Sequence, residues 1–147
     1  MGYAEALDTA LCWGWIDGQL KPCDAQSWLR RFSPRKPKSP WSRLNTLHAE
    51  RLIREGRMEA AGLAKIDEAK SDGRWAGAYA SQASAAAPED LLGALSKDAK
   101  AKAFFEGLNK ANRYAVTYRL ETARTPEIRR RRLERVLAMM KAGETFH

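Results

Sequence analysis

The stretch YAEALDTALCWGWIDG, residues 3–18, carries the strongest fold signal of the chain. Its apolar residues recur at the spacing of one helix face: Tyr3, Ala6, Leu7, Ala10 and Leu11. The predicted helix ends at residues 12–14, and Trp15-Ile16 then begins an extended segment. Asp17-Gly18 is a strong signal for a tight hairpin turn, so residues 19–22 are predicted to form the returning strand.

The rest of the chain is predicted to be mainly helical. Ser42 is the expected N-cap of a helix that runs to about Glu55, because its hydroxyl can accept a backbone hydrogen bond of the first turn. The residues expected on the inner face of that helix are Asn45, His48, Ala49, Leu52 and Ile53. We therefore expect an α+β fold, a predominantly helical single domain over 1–147 with a small β-hairpin or sheet element in the first third. Its expected parts are a helix, hairpin and Pro-rich loop (1–40), a helical pair (41–75) and C-terminal helices (88–143).

Composition narrows the class of protein. The 147 residues are 44% hydrophobic and 30% charged, with five Trp and two Cys. A chain of this length can fold around one core without metal or disulfides, and its composition excludes collagen-like, disulfide-framework and fully disordered proteins. No apolar run approaches the ~18 residues of a transmembrane helix, and the first residues show no secretory signal. The sequence thus predicts no membrane span and a cytoplasmic location.

The formal charge of +8 is concentrated in two segments. Residues 21–60 hold ten Lys or Arg and four Asp or Glu, and residues 113–141 hold nine Lys or Arg and three Asp or Glu. Two basic blocks could together bind nucleic acid, which is our first alternative hypothesis. Its candidate residues are Arg30, Arg35, Lys36, Lys38, Arg43, Arg129, Arg130 and Arg132. We favour solvated or structural arginines instead, because four consecutive Arg on a helix point in different directions around its axis.

Few residues could support metal or nucleophile chemistry. The only cysteines and histidines of the chain are Cys12, Cys23, His48 and His147, and they do not follow CxxC or HExxH spacing. We therefore predict no metal site and no cofactor. Cys12 ends an apolar helix face and is expected to be a small buried residue. No P-loop, GxSxG or GxGxxG motif is present, and whether the chain is an enzyme stays open.

An aromatic cluster in the first third is the most informative functional signal. It comprises Trp13, Trp15, Trp28, Phe32 and Trp41. One of Trp13 and Trp15 is expected to lie in the core and the other to face outward. The outward ring and nearby charges could form a pocket in which Trp stacks on a ligand and Arg holds its anionic part. The candidate ligand-binding residues are Trp15, Asp17, Arg31, Arg35, Trp41 and Asn45.

Ordered motifs along nearly the whole chain resemble a bacterial family. They include residues 6–8 and 11–18, Arg31-Phe32-Ser33-Pro34-Arg35, Ser39-Pro40-Trp41-Ser42, residues 55–58 with Gly62, Asp72-Gly73-Arg74-Trp75, Ala78-Tyr79 and residues 123–127. The set is similar to the YdeI/OmpD-associated, bacteriocin-protection family. That resemblance implies a link to protection against bacteriocins and cationic antimicrobial peptides and to an outer-membrane porin, without established catalytic residues. It also implies that a further N-terminal segment usual in the family is missing before Tyr3.

Together these observations predict a stress or antimicrobial-peptide resistance protein that binds a small anionic ligand or a protein partner. A missing N-terminal strand would leave the edge at residues 13–16 unpaired, so a homodimer through that edge is expected. The second alternative hypothesis is an enzyme with its site around Asp17, Arg31, Arg35, Trp41 and Asn45.

Overall fold

A computed structural model describes the whole chain, residues 1–147, as two compact units. The first unit is Met1–Ala76 and the second is Gly77–His147. Seven helices and one two-stranded antiparallel sheet in the first third confirm the predicted α+β class. The single domain over 1–147 stays a prediction. None of the seven helices has the length and apolar character needed to cross a membrane.

The first unit consists of three helices and the hairpin. Its elements are α1 (Tyr3–Cys12), β1 (Trp15–Pro22), β2 (Trp28–Pro34), α2 (Arg43–Arg54) and α3 (Ala60–Ser71). The Ser42 side chain accepts a hydrogen bond from the Asn45 backbone N–H, as expected of an N-cap, and Gly56 follows the helix with φ of 68°. Of the predicted inner face of α2, Asn45, Ala49 and Leu52 are buried and His48 is half-buried, whereas Ile53 is exposed.

The hairpin turn predicted at Asp17-Gly18 is wrong. β1 continues through these residues to Pro22 and pairs with β2, with Trp15 opposite Pro34 and Pro22 opposite Trp28. A bulge between Asp17 and Leu20 absorbs the extra residue of β1. The turn falls instead at residues 23–27, where the Asp24 carboxylate accepts hydrogen bonds from the Gln26 N–H and the Ser27 hydroxyl. This local turn lets the longer strands pair over their whole length.

The core of the first unit forms where α1 packs against α2 and α3. Its buried residues include Leu7, Leu11, Trp41, Leu52 and Ile66. The end of α1 approaches α3 closely at Gly62, where a Cβ would lie 2.2 Å from the Cys12 carbonyl oxygen. That same carbonyl accepts a hydrogen bond from the Glu59 N–H at 3.1 Å. Only glycine therefore fits at this contact.

The second unit contains four helices, which begin after an irregular segment over residues 77–88. Its helices are α4 (Glu89–Leu95), α5 (Ala99–Glu106), α6 (Lys110–Glu121) and α7 (Pro126–Ala142). Their apolar faces meet in one core made of Leu91, Leu95, Ala101, Phe105, Val116, Leu120, Val136 and Met140. The Thr125 side chain caps the N-terminus of α7, and Gly143 ends the helix with φ of 72°.

Candidate functional site

A cavity of about 330 Å³ opens between the first turn of α1 and one face of the hairpin. We call it the hairpin groove, and its lining residues are Met1, Gly2, Tyr3, Ala6, Leu20, Trp28, Arg30 and Phe32. Alternation along β2 places Trp28, Arg30 and Phe32 on the same face, and the register sets Leu20 opposite Arg30. The groove is therefore an apolar surface with one guanidinium in it.

The groove leaves large apolar side chains in contact with solvent. Trp28 is 62% exposed, Leu20 51% and Tyr3 49%. Isolated exposed apolar residues are normal, whereas these three side chains line one cavity together.

The polar end of the groove is a cluster of three side chains. The Tyr3 hydroxyl donates a hydrogen bond to the Asp17 carboxylate at 2.8 Å, and an Arg30 nitrogen lies 3.5 Å from the same oxygen. The Arg30 guanidinium also lies over the Tyr3 ring at 4.8 Å and donates to the Gly18 carbonyl. Burial, together with the Asp17 carboxylate, raises the pKa of Tyr3 to about 12. Arg30 is thus held in place by the Asp17 carboxylate and by the Tyr3 ring.

The structure places the predicted ligand-binding residues in different surroundings. Asp17 belongs to the polar end of the groove. Arg35 and Trp41 form a buried pair, with the guanidinium 3.5 Å from the ring centre and a hydrogen bond from Arg35 to the Pro40 carbonyl. The Trp41 ring also lies 4.9 Å from the Trp75 ring. Ligand binding by these residues stays a prediction, although burial explains a structural role for Arg35 and Trp41.

The remaining predicted ligand-binding residues lie on helix and strand. Asn45 is buried in the first turn of α2, whereas Arg31 is exposed. The expectation that Trp13 or Trp15 would be buried is wrong, because both are exposed, at 55% and 41%. Trp13 is the C-cap of α1 and Trp15 begins β1, and the buried tryptophan of the cluster is Trp41.

Sequence reasoning missed Tyr3, Leu20 and Trp28 as members of one surface. The available signal was the alternation of Trp28, Arg30 and Phe32 along one strand. The misplaced turn concealed it, because a turn at Asp17-Gly18 separates Leu20 from Arg30.

A second cavity, of about 500 Å³, lies in the second unit between α6, α7 and the residues after α7. We call it the arginine cavity, and its lining residues are Tyr118, Arg119, Thr122, Arg132, Arg135, Val136, Met139, Thr145 and Phe146. Arg132, Arg135, Val136 and Met139 follow the spacing of one helix face. Arg132 donates hydrogen bonds to the Arg119 carbonyl at 2.7 Å and to the Thr122 hydroxyl at 3.3 Å.

The arginines proposed for nucleic-acid binding differ in their surroundings. Arg129 forms two hydrogen bonds with Asp90, at 2.7 and 2.9 Å, and holds the pKa of that carboxyl below its usual range. Arg132 is held by α6, Arg30 by Tyr3 and Asp17, and Arg35 is buried. Exposed side chains in the set are Lys36, Lys38, Arg43 and Arg130. Several of these arginines thus serve structural contacts.

No group of three or more His, Cys, Asp or Glu residues is placed to hold a metal ion. Cys12 is buried and Cys23 is exposed, and both are free thiols. Burial raises the pKa of the Cys12 thiol, which disfavours the thiolate that nucleophilic chemistry needs.

These features define an α+β protein with open cavities lined by aromatic and cationic side chains. Residues 84–143 match the family described as Bacteriocin-protection, YdeI or OmpD-Associated, in agreement with the resemblance over that part of the chain. Residues 1–65 match a different family, described as a domain of unknown function, DUF8412. No match to the chain was found among curated proteins or among solved structures.

Proposed function

We propose that this chain is a binding protein whose hairpin groove holds an extended, acidic and apolar segment of a partner protein. The observation that carries this proposal is the contiguous apolar surface of Tyr3, Leu20, Trp28 and Phe32 around one fixed guanidinium. Aromatic residues beside an Arg are typical of the residues that dominate binding energy at protein interfaces.

The charge of the hairpin favours an acidic partner. Lys21, Arg31 and Lys36 are exposed on or next to the strands. The two acids of the same region are engaged, Asp17 by Tyr3 and Arg30, and Asp24 by its own turn. A cationic peptide would be repelled by this surface and by the formal charge of +8.

The backbone of the hairpin favours an extended segment. In a two-stranded sheet each strand pairs on one side only, so β1 and β2 each have an edge that lacks a strand partner. A segment that adds to the edge of β2 would place alternate side chains on the groove face. Main-chain hydrogen bonds would supply affinity, and the groove would select an apolar side chain.

The biological role that we attach to this binding is resistance to stress or to antimicrobial peptides. Its support is the family match of the second unit, whose description concerns bacteriocin protection. Binding to an acidic protein, rather than capture of a cationic peptide, agrees with the charge of the chain.

The experiment is a titration of the chain with short synthetic peptides in which Glu alternates with Leu or Phe, followed by calorimetry. We expect Leu20→Ser and Trp28→Ser each to weaken binding at least about tenfold, because they remove apolar contacts at the centre of the site. Leu92→Ser is the matched control, since Leu92 is 50% exposed but lies in the second unit. Circular dichroism would verify that all variants are folded.

Three results would overturn the proposal. One is equal binding by Leu20→Ser and Leu92→Ser. A second is equal binding of peptides with Lys in place of Glu. The third is a dimer in light scattering that Leu20→Ser dissociates, since the occupant of the groove would then be a second copy of the chain.

A further inference from the structure

The arginine cavity combines three guanidinium groups with no carboxylate side chain. Arg119 comes from α6, and Arg132 and Arg135 come from α7. None of the three forms an ion pair with Asp or Glu, whereas Arg129 and Arg131 of the same helix pair with Asp90 and Glu127. The cavity therefore concentrates positive charge that the protein itself does not neutralise.

Two of the three guanidinium groups are positioned by contacts of their own. Arg132 is fixed by its hydrogen bonds to the Arg119 carbonyl and the Thr122 hydroxyl, which involve only one of its nitrogens. Arg119 is fixed over the Phe146 ring at 3.9 Å. The other donors of Arg132 stay available for a ligand, because a guanidinium carries five N–H groups.

The remaining lining of the cavity is partly apolar and partly hydroxylic. Val136, Met139 and Phe146 supply the apolar wall, and Tyr118 and Thr122 supply hydroxyl groups. A volume of about 500 Å³ lies within the range of ~300–1,000 Å³ that is usual for small-molecule sites.

We propose that the arginine cavity binds a small organic phosphate. Arg132 and Arg135, one turn apart on α7, hold the phosphate oxygens, Arg119 adds the third positive charge, and the organic part packs against Val136, Met139 and Phe146. A phosphate monoester suits this site better than a monocarboxylate, because it carries a charge of about −1.5 to −2 at pH 7 and three acceptor oxygens. The proposal concerns the second unit and does not depend on the function assigned to the hairpin groove.

The test uses the intact chain in phosphate-free buffer and phenyl phosphate as the probe, with binding measured by calorimetry. We expect phenyl phosphate to bind more tightly than inorganic phosphate, and phenol not to bind. Arg135→Gln and Arg119→Gln should each weaken binding at least about tenfold, the effect expected when a hydrogen bond between charged groups is lost.

Arg131→Gln is the matched control. It removes the same charge from the same helix, but Arg131 is 72% exposed and its partner Glu127 is 61% exposed. We expect this variant to change the affinity for phenyl phosphate by less than about twofold, because Arg131 does not line the cavity and salt screens exposed charges. Thermal unfolding without ligand would show that each variant is folded.

The proposal is overturned if phenyl phosphate does not bind. It is also overturned if Arg131→Gln weakens binding as much as Arg135→Gln, since diffuse charge would then explain the affinity. If inorganic phosphate binds as tightly as phenyl phosphate, the organic part of the ligand contributes no affinity, and the proposal of an organic phosphate is overturned. Binding confined to DNA or RNA oligonucleotides would assign the arginines to a nucleic-acid surface instead.

Discussion

The Arg35 guanidinium lies over the buried Trp41 ring, with its Cζ 3.5 Å from the ring centre. Trp41 is 2% exposed and Arg35 is 4% exposed, so the pair belongs to the interior of the first unit. The hydrogen bond from Arg35 to the Pro40 carbonyl ties the same side chain to the loop before α2. A cation in this position stabilises the unit through its attraction to the face of the ring.

Replacement of Trp41 should destabilise the protein strongly. We expect Trp41→Ala to lower the free energy of unfolding by about 3–5 kcal/mol, because it leaves a large cavity in the core. Arg35→Lys should cost about 1 kcal/mol, since a lysine cannot keep the planar stacking of a guanidinium. The control is Trp28→Ala, for which a surface position predicts a change within about 0.5 kcal/mol. Urea unfolding followed by circular dichroism measures all three, and equal losses at Trp41 and Trp28 would contradict the assignment.

Two glycines in helices should respond to alanine with opposite signs. Gly62→Ala should lower the free energy of unfolding by about 1–3 kcal/mol, because its Cβ would lie 2.2 Å from the Cys12 carbonyl oxygen and force α1 and α3 apart. Gly93→Ala should raise it by up to about 1 kcal/mol, because Gly93 lies within α4 with no atom within 4 Å of the added Cβ. Thermal and chemical unfolding measure the free energy of unfolding of both variants. An unchanged value for Gly62→Ala would show that α1 and α3 are not as close as 2.2 Å implies.

Tyr3 should titrate at unusually high pH. Its pKa is raised from the ordinary 10.0 to about 12 by burial and by the neighbouring Asp17 carboxylate. The associated stability is therefore fully present below pH 10 and is lost as the pH rises through 12. Ultraviolet absorbance of tyrosinate measures the titration, and Tyr3→Phe identifies the step that belongs to Tyr3. We expect Asp17→Asn to lower this pKa, and an unchanged value would separate Tyr3 from Asp17.

Nucleic-acid binding should be weak and confined to low salt. Of the eight candidate residues, Arg30, Arg35 and Arg129 are engaged within the protein and Arg132 lies in the arginine cavity, so the exposed cations of the set are Lys36, Lys38, Arg43 and Arg130. Titrations of labelled single- and double-stranded DNA and RNA at several salt concentrations measure this directly. Binding that persists at physiological salt with a steep salt dependence would favour the nucleic-acid hypothesis.

Local sequence signals predicted the helices well. Ser42 and Thr125 cap α2 and α7 through side-chain hydrogen bonds, and Gly143 ends α7, as expected from residue type alone. Such signals act over three or four residues and are therefore visible without knowledge of the fold.

The hairpin shows where local reasoning fails. Asp17-Gly18 has the composition of a tight turn, yet its residues lie in a strand beside a bulge. Whether the chain turns at residues 17–18 or at residues 23–27 depends on the register in which β1 pairs with β2. It also depends on the contact of Asp17 with Tyr3, which lies 14 residues earlier in the chain. No short window of sequence contains that information.

The sequence by itself determined the helical class of this protein, the ends of several helices and the division of its charge into two basic blocks, because propensity, capping and composition are properties of neighbouring residues. Tertiary structure alone decided which aromatic and basic side chains are buried. Arg35 pairs with Trp41 in the interior, whereas Trp28 is exposed at the hairpin groove and Arg135 lines the arginine cavity. Residues of one type received different roles because burial depends on strand register and helix packing, which join residues far apart in the chain.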